Sequence, residues 1–299
     1  MSNVKIVSMA EAIGRWVPDG TSVAMGTALE SLIPFAAGHE LIRQRRHDLE
    51  LIGPISDMLF DQLIGAGCVG RIRAAWVGNV SAGLGHNFRR AVESGLPGPL
   101  EIEEHSNFSI ALALLAGAMG VPYLPARTLL GTDLLARNPS IERVTGDLVH
   151  VSAIEPDVAI LHVQRADAQG HVHCWGNLGV SKEAGLAAKA VIVVAEEIVD
   201  TEMILSDPNR VLLPPYKVNA VVHCPGGAHP SPVQGHYARD HAQYEEYHRA
   251  TRAMEGVEPW LDAWVRDLPD RPAYLAKLGE RWPALKPVEP RLAAAVDYA

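Results

Sequence analysis

An open α/β fold, with a mostly parallel sheet flanked by helices, is what this sequence predicts, and three observations predict it. Short β-rich runs alternate with longer helix-like runs along most of the chain. The β-rich runs are apolar almost throughout, as in strands covered on both faces. No internal repeat, low-complexity tract or Ser/Gly-rich linker breaks the alternation, so residues 1–299 read as one domain. A chain of 299 residues that is 48% hydrophobic has ample material for a large core.

The elements follow in order. Ser8-x-x-Glu11 is a capping box, in which hydroxyl and carboxylate satisfy each other's orphan amides, and it predicts a helix from about Met9 to Trp16. Pro18-Asp19-Gly20 then turns the chain into a strand over Ser22–Met25. Apolar spacing predicts a helix over Ile33–Gln44, with Pro34 suited to its first turn. Further strands are expected at Leu49–Ile52, Ile72–Val77, Leu100–Glu103, Val158–Val163, Val191–Ala195 and Val218–His223. Asp57–Ile64 reads as a helix. Phe108–Met119, rich in Ala and Leu and apolar on nearly every face, reads as a helix buried against the sheet. The part from about 237 is helical in pattern: Tyr237–Ala253 and Glu258–Leu268 carry mixed charge, with Tyr244, Tyr247, Trp260 and Trp264 spaced as packing anchors. From about Pro283 the chain reads as a weakly ordered tail.

Charge narrows the function. Lys and Arg total 26 against 35 Asp and Glu, a net −9, and only six positions are Lys. Nucleic-acid binding, which draws its energy from cations neutralising phosphates, is therefore not expected. Cys68, Cys174 and Cys224 are odd in number and far apart, which suits reduced thiols rather than a disulfide framework. The start of the chain lacks a basic segment followed by an apolar one, and the most apolar window, Ile110–Leu124, holds two Gly and one Pro and is too short to span a bilayer. A cytoplasmic protein without a membrane partner is expected.

Several motifs invite chemistry and are weighed against plainer readings. Gly65-Ala66-Gly67-Cys68-Val69-Gly70 spells the dinucleotide fingerprint, but a helix precedes it and a strand follows, the reverse of the arrangement that brings glycines onto pyrophosphate. His171-x-His173-Cys174, His223-Cys224 and His229 offer zinc-type ligands without zinc-type spacing, so no metal is expected. Neither a Gly-x-Ser-x-Gly elbow nor a Walker loop occurs.

What remains is polar residues at strand ends, where open α/β folds bind their ligands. Glu103-Glu104-His105-Ser106-Asn107 closes a strand and opens the buried helix, giving an acid/base candidate in Glu104 and an anion-binding corner, or simply a helix cap. Asn79-Val80-Ser81-Ala82-Gly83 and Gly131-Thr132-Asp133 also follow apolar runs and are either site loops or turns. Pro225-Gly226-Gly227-Ala228-His229-Pro230 supplies backbone amides for an oxyanion or phosphate, or is a structural turn.

Taken together, these stretches resemble the alpha subunit of family I CoA-transferases, of the glutaconate CoA-transferase type. The matching segments are His39–Gln44, Glu103–Asn107, Gly117–Pro125, Gly131–Asp133, Asp167–Val172 continuing to Gly176-Asn177, and Pro225–Pro230; they span most of residues 15 to 250. The resemblance implies an open α/β fold of the CoA-transferase type, working with a beta subunit of similar fold in a heterodimer or heterotetramer. It also implies a glutamate that attacks an acyl-CoA, forms a mixed anhydride, and then carries CoA as a thioester to a second carboxylic acid. That glutamate sits in a Ser-Glu-Asn-Gly type motif of the beta chain, and this sequence holds no such motif. CoA enters as a substrate and no other cofactor is implied.

By the same resemblance, substrate contacts are expected from Gly26, Thr27, Asn79, Ser106, Asn107, Gly131, Thr132, Gly226, Gly227, Ala228 and His229. Gly26 and Gly227 would offer amides, while Ser106 and Asn107 would orient the acyl group. The glycine-rich turn of relatives is reduced here to Met25-Gly26-Thr27-Ala28, which leaves acyl preference open. A related pair of proteins hydrolyses a CoA-linked ring in steroid degradation with an alpha-chain glutamate. That glutamate falls near Asn107, an amide unable to act as base, with Glu104 one turn earlier. A noncatalytic CoA-ester-binding subunit is the third reading.

Overall fold

The computed structural model describes residues 4–287. Seven parallel strands form its main sheet: β1 Ser22–Ala24, β2 Leu49–Ile55, β3 Val69–Trp76, β4 Glu101–Glu104, β5 Val158–Ala166, β6 Ala190–Ile198 and β7 Ala220–His223. Their order is β7-β6-β5-β1-β2-β3-β4, and the short strand Val172–His173 pairs antiparallel with the end of β5. All seven lie where the β-rich runs predicted them. The sheet is in register at its centre, with Val23 between Leu51 and Val158, and Val193 between Leu161 and Val221.

Alternation along these strands divides the core in two. Val23, Ile160, Ile192, Val194 and Val222 point to one cluster, which helices α1 (Met9–Trp16), α2 (Phe35–Arg43) and α3 (Asp57–Gly65) help to fill. Ala24, Leu161, Val191, Val193 and Val221 point to the other, where Ile110 and Leu114 of α5 (Asn107–Met119) and Ala184 of α6 (Ser181–Ala187) pack. At the centre of the sheet both faces are thus covered, which is why β5 and β6 could be apolar over most of their length. β4 ends the sheet, and of its four residues only Glu103 is buried.

Local signals set several helix ends. Ser8 accepts from the Glu11 amide and opens α1 as the capping box requires. Pro34 stands one residue before α2 rather than in its first turn. The segment expected from Tyr237 becomes helical only at α7 (His241–Ala250), where the Asp240 carboxylate caps the Gln243 amide at 3.1 Å. Val257–Leu261 is α-helical and runs on as a π-helix over Asp262–Arg266. Tyr244, Tyr247 and Trp260 are buried, and the Tyr247 and Trp260 rings meet edge to face at 5.4 Å. At the expected tail, Arg281–Ala284 is helical and the Leu285 carbonyl accepts from the Ala238 amide. The tail from residue 288 on lies outside the described residues.

Several elements were not among those expected from the sequence. A small antiparallel sheet joins Tyr123–Ala126, Val149–Ser152 and Ile141–Arg143. A hairpin pairs Gly78-Asn79 with Gly83-Leu84 and leads into α4 (His86–Ser94). Cys68, Cys174 and Cys224 are free and buried, and burial pushes their thiols up to about 12, 12 and 11. No helix among the described residues is long and apolar enough to cross a membrane.

Helix α5 is seated by a close approach at Gly117, where a side-chain carbon would run into the Ile154 carbonyl and press on Ala187. The Ile154 amide meanwhile donates to the Ala113 carbonyl at 3.0 Å, so the helix cannot back away. Gly117→Ala is expected to cost about 1–3 kcal/mol through overpacking. A urea unfolding midpoint equal to the parent's would show that α5 has slack there.

Candidate active site

The strands β1, β2, β3 and β4 are neighbours, and their carboxyl ends share one edge of the sheet. With strands spaced about 4.8 Å apart, four such ends span roughly 15 Å, the scale of a ligand cleft.

At the end of β1 the chain bends through Gly26 at φ 65°, against Ser56, whose hydroxyl donates to the Met25 carbonyl at 2.9 Å. Only glycine fits, since a Cβ would collide with the Ser56 side chain. Thr27 Oγ1 lies 2.8 Å from Ser181 Oγ, and the Thr27 carbonyl accepts from the Val180 amide. Thr27 and Ser181, the first residue of α6, are both buried.

Just past β2 stands Asp57, which is fully buried at φ 51°. One carboxylate oxygen accepts from the Val80 amide at 2.9 Å and the Met58 amide at 3.0 Å; the other meets Arg239 Nη2 at 2.5 Å. Burial raises the Asp57 carboxyl above its usual range, with the Arg239 guanidinium and the Val80 amide opposing it. Arg239 also donates to Ser81 Oγ and lies over the Tyr244 ring, 3.8 Å from its centre. Asn79 is turned inward. Its amide nitrogen donates to the Tyr244 carbonyl, and its oxygen accepts from the amides of Ser81 and Ala82, so its polar atoms shape the hairpin.

At the end of β4, neighbouring residues point opposite ways. Glu103 is buried between Arg71 at 2.6 Å, Arg73 at 3.4 Å and His105 at 3.0 Å. Burial alone would raise its carboxyl; hydrogen bonds from His105 and Ser140, with the charge of Arg73, hold it at about 2. Glu104 faces outward, into a cleft of about 600 Å³ between β3, β4 and α4 lined by Trp76, Leu84, Phe88, Val92 and Ile102. Ser106 caps α5, accepting from the Ser109 amide at 3.0 Å while Ser109 Oγ accepts from the Ser106 amide. Asn107 is the first helical residue and is exposed.

Gly131 and Thr132 are exposed and precede the short helix Asp133–Arg137, in the excursion that carries the small sheet. It is tied to β4 where Asn138 Nδ2 donates to the Glu104 carbonyl at 2.7 Å. The loop Pro225–His229 lies at the end of β7 and folds back on the first turn of α2, its Gly227 carbonyl accepting from the Ala36 amide. Its amides are already engaged. Gly226 donates to Glu196, Gly227 to the Cys224 carbonyl, Ala228 to Tyr237 Oη and His229 to the Gly226 carbonyl. The expected oxyanion donors of Gly226, Gly227 and Ala228 therefore point into the protein and hold the turn. The His229 ring is enclosed by Tyr274 and Asp240, and burial pushes it down to about 4 despite the pull of Asp240.

A family model described as Coenzyme A transferase matches residues 6–224. The chain belongs to the coenzyme A transferase family. It is 42% identical over 282 residues to the A subunit of 3-oxoadipate CoA-transferase from Pseudomonas knackmussii, covering 92% of this chain and 99% of that one. The A subunit of glutaconate CoA-transferase from Acidaminococcus fermentans is 31% identical over 297 residues, with 92% of each chain covered. The crystal structure of glutaconate coenzyme A-transferase from that organism superposes with a TM-score of 0.89 over 98% of both chains.

This CoA-transferase chain thus gathers Gly26, Thr27, Asn79, Glu104, Ser106 and Asn107 at the ends of β1, β3 and β4, with Asp57 at the end of β2 among them. Gly131, Thr132 and the 226–229 turn stand on the flanks. Sequence patterns missed Asp57 and Arg239, while Ser81 lay within the Asn79–Gly83 stretch weighed as a site loop or a turn. Asp57 stands two residues past a strand and could have been singled out by position, whereas nothing local marks Arg239. The Gly65–Gly70 stretch joins α3 to β3, helix to strand. His171 turns to Asp167 at 2.7 Å and His173 to the Ile204 carbonyl at 2.8 Å. Among the described residues no three His, Cys, Asp or Glu side chains are grouped as a metal would need.

Glu103 makes stability depend on pH. Its folded pKa lies below the unfolded one, so its contribution is complete above about 4.3 and is lost as pH falls toward 2. Glu103→Gln is expected to be less stable at pH 7 and to flatten the stability profile between pH 5 and 2, relative to the parent. Parallel acid limbs in urea titrations of the two proteins would contradict this.

Proposed function

We propose that this chain forms one wall of a CoA-transferase active site and receives its attacking carboxylate from a beta subunit, in a cytoplasmic heterodimer or heterotetramer. One observation carries the reading: the two buried carboxylates at the strand-end edge are both anchored. Asp57 is held by Arg239 and two amides, Glu103 by two arginines and His105, and neither can leave its partners to reach a thioester without stranding buried charge.

The chemistry then divides between two chains. A glutamate of the partner adds to the acyl carbonyl, a C–O bond forms, the C–S bond breaks, and CoA leaves as thiolate. The thiolate next adds to the glutamyl carbonyl of the mixed anhydride, releasing the first acid and leaving a glutamyl-CoA thioester for the second acid. This chain's tasks are to orient the acyl group and exclude water from the anhydride. The amino end of α5, with no acidic residue in its first turn, presents the positive end of a 13-residue helix beside Ser106 and Asn107. That end suits an acyl group bearing a second carboxylate, in keeping with relatives named for 3-oxoadipate and glutaconate.

Purified alone, the chain is expected to show no CoA transfer, and to gain it when co-purified with its beta subunit. Sustained turnover by the single chain would refute the divided site. In the complex, Glu104→Gln is expected to leave transfer running, because the nucleophile lies across the interface. A loss confined to CoA-ester hydrolysis would favour the ring-cleaving hydrolase instead.

A further inference from the structure

A second concavity adjoins the apolar cleft. It has a volume of about 740 Å³ and lies between α4 and the carboxyl end of α7, lined by His86, Arg89, Arg90, His248, Arg249 and Arg252. Glu93 is the one carboxylate in its wall, 2.8 Å from Arg89. Four guanidiniums against one carboxylate is the opposite of the chain as a whole, where acids outnumber bases 35 to 26.

Part of this charge has a local use. Arg90 closes the end of α7 by donating to the Thr251 and Arg252 carbonyls, at 3.0 and 3.1 Å. Arg89 is paired with Glu93, whereas Arg249 and Arg252 have no such use. The Arg249 guanidinium reaches only the Glu245 carbonyl, at 3.4 Å, and no side chain among the described residues pairs with the Arg252 guanidinium. The His86 and His248 rings lie with their centres 4.2 Å apart at a tilt of 34°, and the buried atoms His86 Nε2 and His248 Nδ1 have no hydrogen-bond partner. Burial, then the charges of His248 and the arginines, depress His86. Such a cluster is complementary to a dianion that can accept several charge-assisted hydrogen bonds at once.

The cleft is also placed for a long ligand. Leu84, Arg89 and Glu93 line both concavities, so the apolar one opens into the basic one. The hairpin bearing Asn79 and Ser81 on the strand-end edge contributes Ala82, Gly83 and Leu84 to the basic wall. An apolar trough that starts at the strand ends and leads to four arginines matches a molecule with an acyl-pantetheine arm at one end and phosphates at the other.

We propose that the cleft between α4 and the end of α7 binds the phosphate groups of the CoA thioester, with its pantetheine arm along the Trp76–Phe88 trough. This rests on the CoA-transferase reading and adds where the substrate lies.

The test uses the complex of this chain with its beta subunit, assayed with two donors, an acyl-CoA and the matching acyl-pantetheine, which has no phosphate. Arg252→Gln is expected to raise KM for the acyl-CoA about tenfold, equivalent to ~1.4 kcal/mol, with a much smaller change for the acyl-pantetheine. Arg252→Lys should recover most of the loss. Equal changes for both donors, or none for either, would overturn the proposal. In a second arm, 3′-phosphoadenosine 5′-diphosphate and inorganic phosphate are titrated by calorimetry into parent and Arg252→Gln complexes. Nucleotide binding weakened by the substitution supports the site even if the complex proves inactive in transfer, which would sink the transferase reading alone. Binding of inorganic phosphate without the nucleotide would overturn the assignment to CoA.

Discussion

A carboxylate with no access to water has to be neutralised where it stands, and Asp57 meets that demand with a guanidinium 182 residues further along the chain. Much of the strand-end edge is arranged around this pair. Asp57 adopts a left-handed backbone that costs a non-glycine residue about 1–2 kcal/mol, and its side chain takes the Val80 amide, which fixes the start of the hairpin. Arg239 lies on Tyr244, and the Tyr244 carbonyl in turn holds Asn79. The end of β2, the hairpin after β3 and the first turns of α7 are therefore one connected unit. A helix late in the chain thereby becomes part of the wall beside the sheet.

The centre of the main sheet was legible because β5 and β6 hold Val- and Ile-rich runs buried on both faces, a pattern that few other structures require. Helices α1 and α5 announced themselves through hydroxyl caps at Ser8 and Ser106. Helix α4 did not, since Gly85 precedes it without a side-chain cap and its sequence HNFRRAVES is largely polar. The Tyr123–Ala126 strand was hidden by Pro125 and by the Pro122 before it.

The site was legible to a different depth at each residue. The corner at Ser106 and Asn107 could be placed because strand ends and helix starts leave sequence marks, and in the structure Ser106 caps its own helix. The 226–229 turn shows the limit. Its glycines advertise free backbone, but whether an amide is free depends on Glu196, Tyr237 and Cys224, which a local pattern does not contain. Pairings such as Asp57 with Arg239, or the convergence of α4 with the end of α7, depend on tertiary contact and leave no periodic trace. At β4 the two faces of one strand differ sharply: Glu101 and Glu103 join a ladder with Arg71 and Arg73, while Ile102 and Glu104 border the apolar trough.

The three cysteines bear on the compatibility of such a protein with its own chemistry. Thioesters exchange readily with thiolates, and a stray one on the enzyme would capture acyl groups from every donor that docked. Sulfur chains set deep in the core with ionisation driven up to 11 or 12 remain protonated and sheltered. Burial and raised ionisation thereby disfavour self-acylation of the folded chain, a protection that is lost when the core opens.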